Sequence, residues 1–192
     1  IEQLARVVRE AAERGGALLV PAFAVGRPQN LIWMLRELEE EGRIPSIPVF
    51  IDSPMANHVS EATCKHEEDL DHEMRVAMDE ERCPLCCKTY HLVTSPQESK
   101  ALNLRQGAMI VIAGSGMATG GRILHHMRHR LPDPRTTVLL VGFQAKGTRG
   151  RSLQEHSATL RIYGQDVAVR ARVEVVDGLP AHADQNEILR WL

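Results

Sequence analysis

Two polar turns carry the residues best suited to chemistry. The first, 114–122, reads Gly-Ser-Gly-Met-Ala-Thr-Gly-Gly-Arg between an apolar run and a helical pattern. Backbone N–H groups of such a turn, with the N-terminus of the helix that follows, can cradle an anion. Ser115 and Thr119 add hydroxyls, and Arg122 adds a forked cation that suits phosphate. A tight strand-to-helix turn with no ligand is the plainer alternative. The turn is no P-loop, because Gly-Lys-Ser/Thr is missing. It is also a poor dinucleotide fingerprint, because Thr119 stands where the third glycine is required. The second turn, 142–151, reads Gly-Phe-Gln-Ala-Lys-Gly-Thr-Arg-Gly-Arg. Open α/β sheets bind ligands beyond the carboxyl ends of their strands. Both turns follow strand-like runs, so Arg122, Lys146, Arg149 and Arg151 can converge on one phosphate path. Two unrelated solvated loops would show the same residues.

A third candidate is His182, in Leu-Pro-Ala-His-Ala-Asp at 179–184. It sits between a long strand pattern and a closing helix that Asp184 and Glu187 can cap. A histidine held there beside an acid can act as a general acid or orient a phosphate; an ordinary surface or core histidine is the alternative. Cys83 and Cys86 form a C-x-x-C, but a structural zinc needs two more ligands. Cys64, His66, His72 and His91 offer no matching pair, so buried or incidental thiols are the expectation and no metal ligand is assigned. His125, His126 and His129 share one helix. The 125/129 pair has metal-binding spacing without a third ligand, so solvated histidines are expected.

The elements that must position these groups alternate. A helix near 2–14 carries Leu4, Val7, Val8 and Ala11 on one face, and strand-like runs follow at 17–20, 49–51, 90–93, 109–113 and 137–141. Between them lie helices starting at Pro28, at Ser53-Pro54 and at Ser95-Pro96-Gln97-Glu98, where serine and proline suit the first turn. A helix over 121–130 turns Ile123, Leu124 and Met127 inward, and the charged stretch 65–82 reads as a solvated helical segment. After residue 158 the rhythm changes to two strands, 159–163 and 167–176, about a Gly164-Gln165-Asp166 turn. Fully apolar strands alternating with helices predict an α/β fold, a mostly parallel sheet with helices on both faces, plus a C-terminal hairpin.

The formal net charge of −2 excludes a global attraction to polyanions, so any polyanion site is local. No apolar run approaches the roughly 20 residues of a membrane span. Clustered cysteines fit a reducing, cytoplasmic setting. Ile1 opens directly into helical sequence and the last residues still read as helix, which is the pattern of a segment from a longer chain.

Five motifs in order carry a resemblance: Pro-Ala-Phe-Ala-Val-Gly-Arg at 21–27, Asp-Ser-Pro-Met-Ala at 52–56, the turns at 114–122 and 142–151, and Ala-His-Ala-Asp at 181–184. Together they resemble the β-CASP region of RNA-processing nucleases in the metallo-β-lactamase superfamily. The similarity is to the bacterial and archaeal branch related to the nuclease subunit of the mRNA cleavage-and-polyadenylation machinery. The resemblance implies a β-CASP lobe inserted as a lid into a split metallo-β-lactamase domain, with RNA in the cleft between them. It also implies two zinc ions that activate water for phosphodiester attack. Their His-x-His-x-Asp-His motif has no match here and is expected before Ile1, with a last zinc-binding histidine beyond Leu192. Residues 1–158 then form the β-CASP domain, and 159–192 begin the returning part of the catalytic domain. By the same resemblance His182 lies near the scissile phosphate and assists leaving-group protonation. Ser115, Arg122, Thr148 and Arg149 belong to turns facing the RNA path, with Arg151 beside them. The stretch 66–88 departs most from the family pattern.

The expectation is therefore an RNA-binding lid of a zinc-dependent ribonuclease. It should be inactive alone, hold no cofactor of its own, and have RNA and the remaining domain as partners; a homodimer is a further candidate arrangement. Two rivals stay open: a nucleotide-binding α/β enzyme domain using the Gly114 turn, and a non-catalytic interaction module.

Overall fold

Alternating apolar runs and amphipathic helices settle into a layered sheet, because each strand residue points to the opposite face from its neighbour. The computed structural model describes residues 1–66, 68, 70, 72–79, 85, 87–176 and 189–191. In chain order the elements are α1 (Glu2–Glu13), β1 (Ala17–Pro21), α2 (Arg27–Glu40), β2 (Val49–Asp52), α3 (Pro54–Lys65) and α4 (His72–Asp79). These are followed by β3 (Tyr90–Leu92), α5 (Pro96–Leu102), β4 (Met109–Ala113), α6 (Arg122–Arg130) and β5 (Thr137–Leu140). The chain then forms α7 (Arg149–Gln154), β6 (Thr159–Ile162), β7 (Gln165–Ala168) and β8 (Arg172–Val175). Among the described residues no helix is long and apolar enough to cross a membrane.

Six strands pair in the order β3-β2-β4-β1-β5-β8, all parallel, and β6-β7 form a separate antiparallel hairpin. The α/β fold with a mostly parallel sheet is thus as expected. Alternation sorts the core onto two faces. Leu18, Val20, Ile110, Ile112 and Leu139 pack with α1 and α2 on one side. Ala17, Leu19, Met109, Val111, Val138 and Leu140 pack with α6, Leu153 of α7 and the hairpin on the other. Helices cover both faces, so the inner strands are apolar throughout. Serines begin two of these helices: Ser53 Oγ accepts from Ala56 N at 3.3 Å and Ser95 Oγ from Glu98 N at 3.1 Å.

The C-terminal strands differ from expectation in two ways. The hairpin turns at Tyr163-Gly164, whose φ values of 49° and 76° are both positive, the requirement of a tight two-residue connection. The stretch 167–176 is also not one strand. Arg170 N and Ala171 N both donate to Leu131 O, at 2.8 and 2.9 Å, which draws the chain out of the hairpin to the end of α6. It then runs beside β5 as β8. The charged stretch 65–82 is likewise divided: α3 ends at Lys65, and α4 occupies His72–Asp79.

Candidate functional site

After β1 the chain crosses toward β2, while after β4 it crosses toward β5. Neighbouring strands whose connections leave in opposite directions open a crevice at their carboxyl ends. Here it is a depression of about 340 Å³ lined by Phe23, Asp52, Ser53, Ser115, Gly121 and Arg122 among others.

The glycine turn is closed by Ser115. Its hydroxyl accepts from Thr119 N at 3.0 Å and Gly120 N at 3.1 Å, and lies 3.1 Å from the Thr119 hydroxyl. Ser115 thus spends its bonding capacity shaping the loop. Two glycines are sterically required. Gly121 enters α6 at φ 77°, and a Cβ there would sit 2.3 Å from Gly114 O; a Cβ on Gly116 would sit 2.7 Å from the Phe23 ring. Phe23 is therefore laid against the loop with 54% of its surface exposed. No side chain caps α6 at Gly121; the turn itself does so, with Ile123 N donating to Gly114 O at 3.0 Å and Leu124 N to Gly121 O at 3.3 Å.

Arg122 lines the depression and is anchored from below. Its Nη1 donates to Asp52 Oδ1 at 2.6 Å, and its Nε and Nη2 make no hydrogen bond with the described residues. Asp52, fully buried at the end of β2, collects further donors on Oδ2. His126 Nε2 lies 2.6 Å away and the Ser99 hydroxyl also donates to it. His126 Nδ1 meets the Asn103 side-chain amide at 2.9 Å. Burial pushes the Asp52 carboxyl up, but the hydrogen bonds from His126, Ser99 and Arg122 outweigh it and hold it below the usual carboxylate range. The expectation of solvated histidines fails for His126, which is 1% exposed. His125 and His129 are exposed, with the His125 ring 4.8 Å from that of Tyr163.

The second turn behaves differently. Thr148 caps α7, accepting from Arg151 N at 3.2 Å and donating to Ala145 O at 2.7 Å. Arg149 donates through Nε to Arg161 O at 2.6 Å and through Nη1 to the carbonyls of Thr119 and Ala118, at 3.3 and 3.4 Å. It reaches the glycine turn but not the lining of the depression. Arg151 pairs with Glu155 along α7 at 2.7 Å, and Lys146 is exposed with no ion pair among the described residues. Ser115 and Arg122 thus come together in the depression, while Thr148, Arg149 and Arg151 hold the neighbouring turn. His182 lies outside the described residues, as do Cys83 and Cys86.

Cys64 is half-buried and Cys87 buried, both as free thiols, and burial, followed by the nearby Glu39 charge, pushes the Cys87 thiol up to about 12. Among the described residues no three His, Cys, Asp or Glu side chains stand close enough to hold a metal ion. Asp52 and His126 have their bonding groups turned on each other. The described residues therefore do not fit zinc.

The family model for the Beta-Casp domain matches residues 28–153. The chain belongs to the β-CASP family. A second model, for the Zn-dependent metallo-hydrolase RNA specificity domain, matches residues 166–192. This β-CASP chain is similar along its whole length to Ribonuclease TTHA0252 of Thermus thermophilus, at 35% identity over 44% of that protein. It is also similar to the transcription termination factor FttA of Methanocaldococcus jannaschii, at 31% identity over 31% of that protein. An RNase J-like protein of the same archaeon is 25% identical over 43% of its length. The chain thus spans less than half the length of the curated relatives it matches.

Sequence reasoning missed part of the β-CASP site. Asp52 was legible as a strand end but not as the hub of a buried network. His126 falls three residues after Ile123 and one before Met127, so helical spacing alone places it on the inward face. Gln144, 4% exposed, donates to Gly116 O and Gly142 O, each at 3.2 Å, and stitches the two turns together.

Proposed function

We propose that this β-CASP chain is the RNA-binding lobe of a zinc-dependent ribonuclease that hydrolyses phosphodiester bonds. The observation that carries the reading is the depression itself: a glycine turn closed by its own hydrogen bonds and a guanidinium with two unspent nitrogens on one edge. An RNA phosphate needs that combination of a cation and fixed donors. The ribonuclease among its relatives supports the same reading. Arg122 grips phosphate directly in this reading. Ser115, Thr148 and Arg149 hold the turns that shape the path, and Arg151 extends it along α7. Zinc would activate water for attack on phosphorus, held by residues outside those described. His182 would protonate the leaving oxygen, the role the family resemblance implies. Residues 1–158 would serve as the lid and 159–192 as the return into the catalytic domain of a cytoplasmic protein.

The test is hydrolysis of labelled single-stranded RNA with zinc supplied, by this chain and by a longer protein carrying a metallo-β-lactamase domain on it. Cleavage by the longer protein alone, abolished by chelator, is the expected result. In that protein His182→Ala should lower kcat more than it raises KM. Zinc-dependent cleavage by this chain alone would overturn the division of labour, and no cleavage by either would favour a non-catalytic interaction module.

A further inference from the structure

Resting on the reading of the depression as a phosphate site, we infer that His126 is a positioning residue that, through Asp52, fixes Arg122 and keeps two of its nitrogens available to RNA. Arg122 and His126 stand one turn apart on α6 and reach the same carboxylate, one oxygen each. An isolated arginine–carboxylate pair favours a two-pronged fork, with both oxygens taken by one guanidinium. Here the second prong is closed off. Oδ2 is held by His126 and Ser99, so Arg122 attaches through Nη1 alone. The guanidinium is anchored but not consumed.

Support for His126 extends outward. Its other nitrogen rests on Asn103, whose amide can accept or donate there. With both ring nitrogens engaged at 1% exposure, the imidazole plane is fixed, and it fixes the carboxylate plane in turn. Without His126, Asp52 would be a buried charge short of a partner. The nearest cation able to supply it is Arg122, which would fold inward to complete the fork. Loss of His126 is therefore felt at the surface, as loss of the RNA grip.

The test uses a fluorescein-labelled single-stranded oligouridylate and this chain. Arg122→Ala should weaken binding about tenfold, the loss of one charged contact. His126→Leu should weaken it about fivefold, and the double variant should bind no worse than Arg122→Ala, because acting through one another makes the effects non-additive. His126→Gln carries an amide nitrogen near the position of Nε2 and should restore binding, whereas His126→Asn should not. A second readout needs no RNA. The Nε–H resonance of Arg122 should be sharp in the wild type and in His126→Gln, and shifted in His126→Leu. Unchanged affinity and an unchanged Arg122 signal in His126→Leu, or losses that multiply in the double variant, would overturn the inference. Should His126→Leu not fold, Asn103→Ala removes only the outer support and should move the Arg122 signal the same way; no movement there overturns the inference as well. Failure of the wild type to bind the oligonucleotide would instead remove the RNA reading, and the Arg122 signal would still decide whether His126 positions it.

Discussion

At the scale of the residue, Asp52 is the most constrained group lining the depression. Burial opposes its charge, and three hydrogen bonds restore it to below the usual carboxylate range. A carboxyl with a depressed folded-state pKa contributes stability that is present above its unfolded value and lost as the pH falls through the folded one. The wild type should therefore lose stability as the pH falls below the ordinary range of aspartate titration. Asp52→Asn should be less stable near neutrality by about 3 kcal/mol, since Arg122 and His126 lose their common partner. It should lose less on acidification than the wild type. Urea midpoints of both proteins across that range measure this. Parallel curves would mean that Asp52 does not hold its charge in the way its partners imply.

At the scale of the element, Arg149 joins three pieces of the fold: the start of α7, strand β6 through Arg161 O, and the glycine turn through the Thr119 and Ala118 carbonyls. Hydrogen bonds from a charged donor contribute about 1.5–3 kcal/mol. Arg149→Ala should accordingly lower Tm by about 5 °C in a chain of this size, while RNA affinity falls less than for Arg122→Ala. A scanning calorimetry trace showing an unchanged Tm would release Arg149 from this structural role and return it to the RNA path. The sequence showed the elements themselves because each rests on local pattern, such as the fully apolar run 109–113 or the serine and proline that begin α3. What it could not show depends on contacts distant along the chain. Nothing near residues 170–171 announces that Leu131 O will divide 167–176 into two strands. Nothing in the run 142–151 distinguishes an arginine bound to carbonyls from one left for a ligand. Residues 52, 99, 103, 122 and 126 become one network only once β2, α5 and α6 are packed together.

At the scale of the whole molecule, the charges are nearly balanced, 23 Lys and Arg against 25 Asp and Glu. Many of the cations are already paired, as Arg6 is with Glu10 and Glu174, and Arg172 with Glu10 and Glu174. A polyanion approaching from a random direction meets no net attraction. In the proposed reading, affinity for RNA comes from local cations, principally Arg122, whose Nε and Nη2 stay outside its pairing with Asp52, and the exposed Lys146 of the second turn. Each phosphate neutralised on a single strand contributes a slope of about −0.7 to the dependence of log affinity on log salt, so two or three contacts predict a total slope between about −1.4 and about −2.1. Arg122→Ala should make the slope shallower by about 0.7, whereas Arg149→Ala, with its guanidinium committed to carbonyls, should leave it unchanged. The alternative source of affinity is aromatic: Phe23 in the depression and Phe143 in the second turn are 54% and 75% exposed, and stacking of bases on such rings is insensitive to charge screening. A titration of affinity against salt separates the two. A slope near zero with binding intact would assign the grip to the rings, and the phosphate role argued for Arg122 would then fall.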